Sequence, residues 1–289
     1  MLLYTKGEFV DMEQNLDNVE NNWVFQNNKL IEASYSLTVT EQKILRLLAS
    51  FIKPDDKAFK EYDMQTKELI KILNTSKGRF YRDIDDITTK LMSRVFKVRN
   101  LETGEWAKYH FVDVAKYKDG LLTLKIHPDM KEFYLELDQY TKYRLSNIMQ
   151  FKKMYSFRIY ELLKQYQNNI GKRTFTVEQL RILMEIEPNK YPKYGNFKQK
   201  VINTSVEEIN EKSDIYCEIK ENKCGKSVES ITFFIKNNEK NIKNDENFNK
   251  NVKKFQKNTK NSSKQLNFNN YKQREYDYDK LEKQLLGWE

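Results

Sequence analysis

One plan of secondary structure occurs twice along this chain, and that recurrence limits the possible folds more than any other feature. Each copy is predicted to run helix, short strand, short helix, turn, long helix and β-hairpin. In the first copy, helix-spaced apolar residues predict a long helix over residues 76–94. The strands after it are predicted at 94–99, 105–117 and 121–126. The copies agree in element order and not in residues, so the pattern predicts a pseudo-repeat of an α+β domain.

The second copy is predicted to begin with a long helix over residues 147–167. Its remaining elements are predicted as a strand at 173–175, a helix that starts after Thr176, a turn at 188–195, a helix at 196–212 and strands at 215–221 and 228–235. This order is that of a winged helix, in which the second helix of a helix-turn-helix enters the major groove and the hairpin, or wing, lies along the DNA backbone. Two tandem winged-helix domains are therefore predicted, and two generic α+β domains are the alternative.

The charge of the chain is concentrated in its second half. The 289 residues carry a formal net charge of +9. Residues 1–140 contain 21 basic and 23 acidic side chains, whereas residues 141–240 contain 19 and 12. A basic domain favours a polyanionic partner, because neutralising phosphates releases counterions. A basic surface that serves solubility alone is the alternative.

Composition restricts the cellular compartment in which the protein is expected. The sequence contains no apolar run of about 18 residues, which argues against a membrane span, and no secretory signal opens it. The two cysteines, Cys217 and Cys224, are too few for a disulfide framework. We therefore expect a cytoplasmic protein with reduced thiols.

The helix predicted at 196–212 has the composition of a DNA-reading element. At 100° per residue its apolar residues fall on one side, and the other side presents Asn196, Gln199, Lys200, Asn203 and Thr204. Amide side chains can pair bidentately with adenine, and lysine can donate to guanine. An ordinary amphipathic surface helix is the alternative.

Basic residues around this helix are predicted to contact phosphate. They are Lys193 and Lys198 at its start, with Lys223, Lys226 and Ser227 in the wing. In the first copy the corresponding helix offers Lys77, Arg79 and Arg82, but with Asp85 and Asp86 beside them. We expect the first copy to contact DNA less, or to serve assembly.

Three regions of the sequence resemble the Rep initiator family of theta-replicating bacterial plasmids. They are Asn28-Lys29-Leu30-Ile31-Glu32-Ala33 with Leu37-Thr38 and Glu41-Gln42-Lys43-Ile44-Leu45, then Phe197-Lys198-Gln199-Lys200-Val201-Ile202 with Glu208-Ile209-Asn210, and finally Ile231-Thr232-Phe233-Phe234-Ile235. The resemblance covers about residues 21–237. It implies two winged-helix domains that grip a repeated origin sequence, the iteron, with the second domain reading the major groove. The wing, Lys223-Cys224-Gly225-Lys226, lacks an arginine often expected there.

The resemblance also implies a function. Monomers of the family open the origin and recruit host helicase machinery, whereas dimers, formed through the first domain, often repress the initiator's own promoter. A winged-helix transcriptional repressor without initiator activity is the first alternative.

The chain is predicted to divide into five parts. They are a flexible arm (1–20), the first winged-helix domain (21–140), the second (141–237), a disordered linker rich in Asn and Lys (238–270) and a short helical motif (271–289). In the last part Tyr278, Leu281, Leu285 and Trp288 recur at helical spacing, which predicts docking onto a host replication protein. Docking back onto the chain's own domains is the alternative.

Catalytic motifs are not supported by the sequence. Gly225-Lys226-Ser227 matches the end of a phosphate loop, but Lys220 stands where the first glycine would be. His110 and His127 lack the His-apolar-His pattern of a nicking initiator, and the cysteines lack a second ligand pair for zinc. We therefore predict a binding protein without enzymatic activity, metal or cofactor, with a nicking rolling-circle initiator as the enzymatic alternative.

Overall fold

Two three-stranded antiparallel sheets organise the part of the chain that the computed structural model describes, which is residues 19–53, 55–99, 103–168 and 170–241. The elements of the first half are β1 (Trp23–Asn27), α1 (Asn28–Ile31), α2 (Val39–Ala49), β2 (Glu61–Gln65), α3 (Thr66–Ile72), α4 (Lys77–Ser93), β3 (Val95–Arg99), β4 (Trp106–His110), β5 (Val112–Lys118) and β6 (Leu121–Ile126). A 3-10 turn at Pro128–Met130 comes after them.

The elements of the second half continue the numbering. They are α5 (Lys131–Tyr134), β7 (Tyr140–Arg144), α6 (Ser146–Met149), α7 (Met154–Lys164), β8 (Lys172–Thr176), α8 (Val177–Leu183), α9 (Tyr194–Phe197), a π-helical segment (Lys198–Asn203), α10 (Thr204–Lys212), β9 (Ile215–Cys224) and β10 (Ser227–Asn237). We call α9, the π-helical segment and α10 together the 194–212 helix. No helix in the described ranges is long and apolar enough to cross a membrane.

The two sheets share one topology. The first has the strand order β2–β6–β5 and the second has the order β8–β10–β9. In each, the strand that precedes the helix pair lies at one edge, and the last strand of the unit lies in the middle. The helix-turn-helix is α3–α4 in the first unit and α8 with the 194–212 helix in the second. The predicted pseudo-repeat of two winged-helix units is thereby confirmed.

The hairpin strands of the first unit differ from the prediction. The single strand predicted over 105–117 is two strands, because β4 pairs with β3 and β5 pairs with β6. The break falls at Phe111, whose fully buried ring lies 4.8 Å from that of Phe96 and 5.2 Å from that of Tyr35. Because this ring is anchored in the core, β4 ends before it, and the residues after it pair with β6 instead of β3.

The helix predicted over 147–167 is also interrupted. It forms α6 and α7, separated by residues 150–153, with Phe151 fully buried between them. The backbone N–H groups of Lys152 and Lys153 donate to the carboxylate of Glu208 at 2.7 and 3.0 Å. A carboxylate from α10 therefore supplies acceptors where the new helix begins. Burial opposes the charge of Glu208, but these bonds, together with the hydrogen bond from Lys212, outweigh it and lower its pKa.

Helices α2 and α7 form the centre of the described structure. The first is capped by Thr38, whose hydroxyl accepts from the N–H of Glu41 while the Glu41 carboxylate accepts from the N–H of Thr38. It contacts α4, α7 and β1, while α7 contacts α2, α10 and β7. Since α7 packs against elements of both winged helices, it joins them into one core.

Strand β1 has a partner that the sequence pattern does not indicate. It pairs antiparallel with β7 in a separate two-stranded sheet, with Trp23 opposite Arg144 and Asn27 opposite Tyr140. The pairing closes the first unit, because it brings the start of the described chain against the segment that leads into the second unit.

Candidate nucleic-acid interface

The turn of the second helix-turn-helix is fixed by Arg181. Its guanidinium donates to the main-chain carbonyl oxygens of Lys190 at 2.7 Å, Glu187 at 3.1 Å and Tyr191 at 3.2 Å. The helix that carries it, α8, begins with the capping box of Thr176 and Gln179. Because one side chain satisfies three carbonyls of the turn, the 194–212 helix leaves that turn in a defined direction.

The two faces of the 194–212 helix are those that the sequence predicts. Phe197, Val201, Ile202 and Ile209 are fully buried, and Val206 is half-buried. The opposite side carries the predicted reading residues, of which Asn196, Gln199 and Lys200 are exposed and Asn203 and Thr204 are half-buried. The amphipathic division is confirmed, and contact with bases stays a prediction.

The middle of this helix has π-helical geometry. Its hydrogen bonds run from i to i+5, so a turn is wider than the 3.6 residues per turn assumed from the sequence. Gln199, Lys200 and Asn203 all lie in this segment. The Asn203 amide donates to the Gln199 side-chain oxygen at 3.2 Å, and the Thr204 hydroxyl donates to the carbonyl of Lys200 at 2.9 Å. The two amides are therefore oriented together, while the hydroxyl hydrogen of Thr204 serves the helix itself.

The wing is the hairpin of β9 and β10. Cys224 pairs with Ser227, which leaves Gly225 and Lys226 as a two-residue loop. Gly225 has a φ of 60°, a conformation that glycine adopts without the cost of a Cβ. Lys223, Lys226 and Ser227 are all exposed on this projection.

One acidic residue connects the wing to the start of the 194–212 helix. The Glu221 carboxylate on β9 accepts from Lys198 Nζ at 2.7 Å and from Tyr194 Oη at 2.8 Å. The hydrogen bond from Lys198 and that from Tyr194 hold the pKa of Glu221 below its ordinary value. Lys198, predicted to meet phosphate, is thus half-buried and already paired. Lys193, Lys200, Lys223 and Lys226 make no ion pair with any carboxylate in the described part of the chain.

The corresponding face of the first unit carries little free positive charge. Arg79 and Arg82 both approach the carboxylate of Asp83, at 3.7 and 2.8 Å. The hydrogen bond from Arg82 lowers the pKa of Asp83. Lys77 is exposed at the first position of α4. That the first unit contacts DNA less stays a prediction.

The two histidine rings lie near each other, but each contacts a main-chain group. Their ring centroids are 6.3 Å apart. His110 Nδ1 lies 3.2 Å from the carbonyl oxygen of Met92, and His127 Nδ1 accepts from the N–H of Asp129 at 3.3 Å. Within the described residues no group of three or more His, Cys, Asp or Glu side chains could hold a metal ion.

The wing tripeptide does not have the geometry of a phosphate loop. Of the two cysteines, one is buried away from solvent. Gly225-Lys226-Ser227 leads into strand β10 and not into a helix. Cys217 is buried, which raises the pKa of its thiol to about 12, whereas Cys224 is exposed next to the wing loop. Neither arrangement is that of a nucleotide or zinc site.

Two family models match the chain over both winged-helix units. One, described as "Initiator Replication protein, WH1", matches residues 23–164, and the other, "Initiator Rep protein, WH2", matches residues 176–235. The chain belongs to the Rep initiator family. The first match includes α7, the helix that packs against both units of this Rep initiator.

Individual relatives agree with this membership. A "Replication initiation protein" of Escherichia coli is 23% identical over 221 residues, which are 74% of this chain and 69% of the relative. Among solved structures, the crystal structure of Pi initiator protein in complex with iteron DNA matches with a TM-score of 0.61 at 16% identity, and the match covers 75% of this chain and 98% of that one. The second likeness shows a shared fold.

The predicted docking residues lie outside the described part of the chain. They are Tyr278, Leu281, Leu285 and Trp288. Residues 1–18 of the arm predicted at 1–20, and most of the linker predicted at 238–270, also lie outside it. Conversely, the sequence pattern does not single out Arg181 or Glu221, which position the 194–212 helix. Their partners are brought to them by the turn and by the sheet, so no local motif marks them.

Proposed function

We propose that this Rep initiator binds repeated origin sequences, the iterons, in duplex DNA through the second winged helix. The observation that carries the proposal is the outer face of the 194–212 helix, where Gln199, Lys200 and Asn203 stand beside a wing whose lysines have no ion-pair partner in the described chain. The Pi initiator, which shares this fold, is bound to iteron DNA in its crystal structure.

Each part of the surface has a distinct role in this proposal. Asn196, Gln199 and Asn203 offer amides to adenine, and Lys200 offers its ammonium group to guanine. Lys193, Lys223, Lys226 and Ser227 contact phosphates, which position the protein and carry no sequence information. Thr204 can accept from a base edge, and Lys198 contributes once Glu221 releases it. In the first unit Lys77, Arg79 and Arg82 add phosphate contacts.

The proposal extends to the steps after DNA binding. The bound initiator opens the origin and recruits host replication machinery in the cytoplasm, and the motif at 271–289 docks onto a host protein. As a homodimer, formed through the first unit (21–140), it represses its own promoter. No reaction is catalysed and no cofactor is used, because every predicted role is one of binding.

The test combines footprinting with a replication assay. The protein is footprinted on the DNA upstream of its own gene, and the protected repeats are then placed on a minimal plasmid with the gene supplied in trans. We expect protection of direct repeats and stable replication of that plasmid. Protection without replication would leave a transcriptional repressor, the first alternative.

A second assay addresses the enzymatic alternative. Supercoiled DNA that carries the protected repeats is incubated with the protein and a divalent metal ion. We expect the DNA to stay supercoiled, and accumulation of a nicked circle would contradict the proposal of a binding protein without catalysis.

A further inference from the structure

The two-stranded sheet of β1 and β7 has one aromatic and basic face. Val24 and Tyr143 point into the core and are fully buried. The alternate residues point outward, and they are Trp23, Phe25, Tyr140, Lys142 and Arg144. We call these five residues the β1–β7 face. None of them is acidic, and no element in the described chain pairs with either strand of this sheet at its other edge.

The rings of this face form a row. Trp23 and Phe25 are two residues apart on one strand, and Tyr140 lies opposite Asn27, the next outward position. Successive rings are thus spaced by about 7 Å along the strand. The rings of Phe25 and Tyr140 have centroids 5.8 Å apart, and Trp23 and Tyr140 are 38% and 45% exposed. Single exposed aromatic side chains are ordinary on a protein surface, so the informative feature here is that these rings are contiguous.

The cations of the face lie over its largest ring. The Arg144 guanidinium carbon is 4.0 Å and Lys142 Nζ is 5.3 Å from the centroid of Trp23. Arg144 also donates to the main-chain carbonyl oxygen of Asn21. Positive charge and aromatic surface are therefore presented together, and a base would stack on the part of the Trp23 ring that stays exposed. A ligand that satisfies both has planar apolar groups joined by anionic ones.

We propose that the β1–β7 face binds single-stranded nucleic acid, with bases stacked on Trp23, Phe25 and Tyr140 and phosphates held by Lys142 and Arg144. Aromatic side chains stack on unpaired bases of any sequence, and nearby cations follow the backbone. A duplex keeps its bases stacked on one another, so the rings could not reach them. The inference rests on the proposed function, because opening an origin is the step that produces an unpaired strand.

Anisotropy of labelled DNA tests the site in the full-length protein. The single-stranded probe is an oligothymidylate of about 15 nucleotides, and the duplex probe is the footprinted origin fragment. We expect Trp23→Ala combined with Tyr140→Ala to weaken single-strand binding by about tenfold or more. Duplex binding should be unchanged, since none of the five residues of this face is among those assigned to groove or phosphate contact.

The matched control is Trp106→Ala. Trp106 is 57% exposed and also has two lysines over its ring, Lys97 at 5.0 Å and Lys108 at 5.5 Å, but it has no neighbouring ring in a row. The Trp106→Ala variant should bind both probes as the parent protein does. An equal loss of single-strand binding in Trp106→Ala, or no loss in the double variant, would overturn the proposal. A parent protein that fails to bind the duplex probe would instead count against the proposed function.

A second readout does not depend on removing a ring from the face. The chain has three tryptophans, so Trp106→Phe with Trp288→Phe leaves Trp23 as the sole one. Stacking of a thymine on it should quench the tryptophan fluorescence as oligothymidylate is added. Unchanged fluorescence at saturating oligonucleotide would overturn the proposal. The proposal would also be overturned if the Trp23→Ala/Tyr140→Ala variant kept its single-strand binding but associated with itself less than the parent protein does.

Discussion

Arg46 on α2 and Glu161 on α7 form a fully buried, bidentate ion pair that fixes α7 to the first winged helix. Arg46 Nη2 lies 2.8 Å from Glu161 Oε2, and Arg46 Nε lies 3.0 Å from Oε1, with both side chains 0% exposed. Tyr143 donates to the same carboxylate at 2.6 Å. Arg158 adds a second buried guanidinium, whose Nη2 donates to the carbonyls of Ile31 and Ala33. One carboxylate is therefore shared by two buried cations.

Replacing Glu161 should destabilise the protein strongly. In Glu161→Gln the shape is kept but two buried guanidinium groups lose their counter-ion, and breaking a buried pair in this way costs about 3–5 kcal/mol. We expect a reduction of that size in the free energy of unfolding, measured in urea. The matched control is Glu136→Gln, which removes an exposed pair with Lys131 and should cost at most about 1 kcal/mol. Similar losses in the two variants would contradict the role given to the buried pair.

The contribution of Glu161 should depend on pH in a defined direction. Burial raises the pKa of this carboxyl, but Arg46 and Arg158 outweigh burial, so the pKa in the folded protein is below the ordinary 4.5. A lowered pKa means that the unfolded chain takes up the proton first, so the stabilisation is complete above pH 4.5 and is lost as pH falls through the folded value. The stability difference between the parent and Glu161→Gln should therefore shrink below that pH. A difference that stays constant from neutral to acidic pH would contradict this assignment.

The outward residues of the 194–212 helix should affect specific binding to the iteron. Lys200→Ala and Asn203→Ala should each weaken binding to the iteron by about 1–3 kcal/mol per lost bidentate contact, with binding to unrelated duplex nearly unchanged for Asn203→Ala. The measurement is a competition titration against both DNAs. Lys236→Ala serves as control, because Lys236 is exposed near the end of β10 that lies opposite the wing. If Asn203→Ala left specific affinity unchanged, the residues assigned to the groove would be wrong.

The wing lysines should act on every DNA sequence alike. Lys226→Ala should weaken specific and unspecific binding together and reduce the slope of log affinity against log salt by about 0.9. Lys198→Ala should change that slope less, because Lys198 is already paired with Glu221 in the free protein. Titrations at several salt concentrations measure both. Equal slopes for Lys226→Ala and the parent would show that the wing does not meet the backbone.

The end of the chain should separate binding from replication. Deletion of 271–289 removes Tyr278, Leu281, Leu285 and Trp288, and it should leave DNA affinity unchanged while replication of the minimal plasmid is lost. The control is a chain with those four residues alone changed to alanine, which should behave like the deletion. Normal plasmid replication with the truncated protein would remove the proposed host-docking role.

The helical stripes and the repeated element order could be predicted because they are local. Phe197, Val201 and Ile202 are spaced by the helix itself, and Thr176 caps α8 through a residue three positions away. The features that could not be predicted depend on distant partners. Phe111 ends a strand because Tyr35 and Phe96 surround it, and α7 starts where Glu208 reaches it. The pairing of Lys198 with Glu221 likewise requires the sheet to be in place.

The candidate site shows the same division. The choice of outward residues on the 194–212 helix followed from angular position, and burial agrees with it. Which of the basic residues are paired could not be predicted. In the fold, Arg79, Arg82 and Lys198 are each paired with a carboxylate that the sequence does not assign to them. The row formed by Trp23, Phe25 and Tyr140 is invisible in sequence, because its members come from strands more than 110 positions apart.

The sharing of α7 between the two units sets a condition on the DNA. Because this helix packs against α2 and against α10, and its Glu161 is bound to Arg46 on α2, the two proposed DNA-binding surfaces are attached to one shared helix. Under the proposed function, the two surfaces would therefore meet a duplex at one fixed helical phase. Repeats whose internal spacing is altered by half a turn of DNA would present their second half on the wrong side, so we expect an origin for this initiator to conserve the length of each repeat as strictly as its bases.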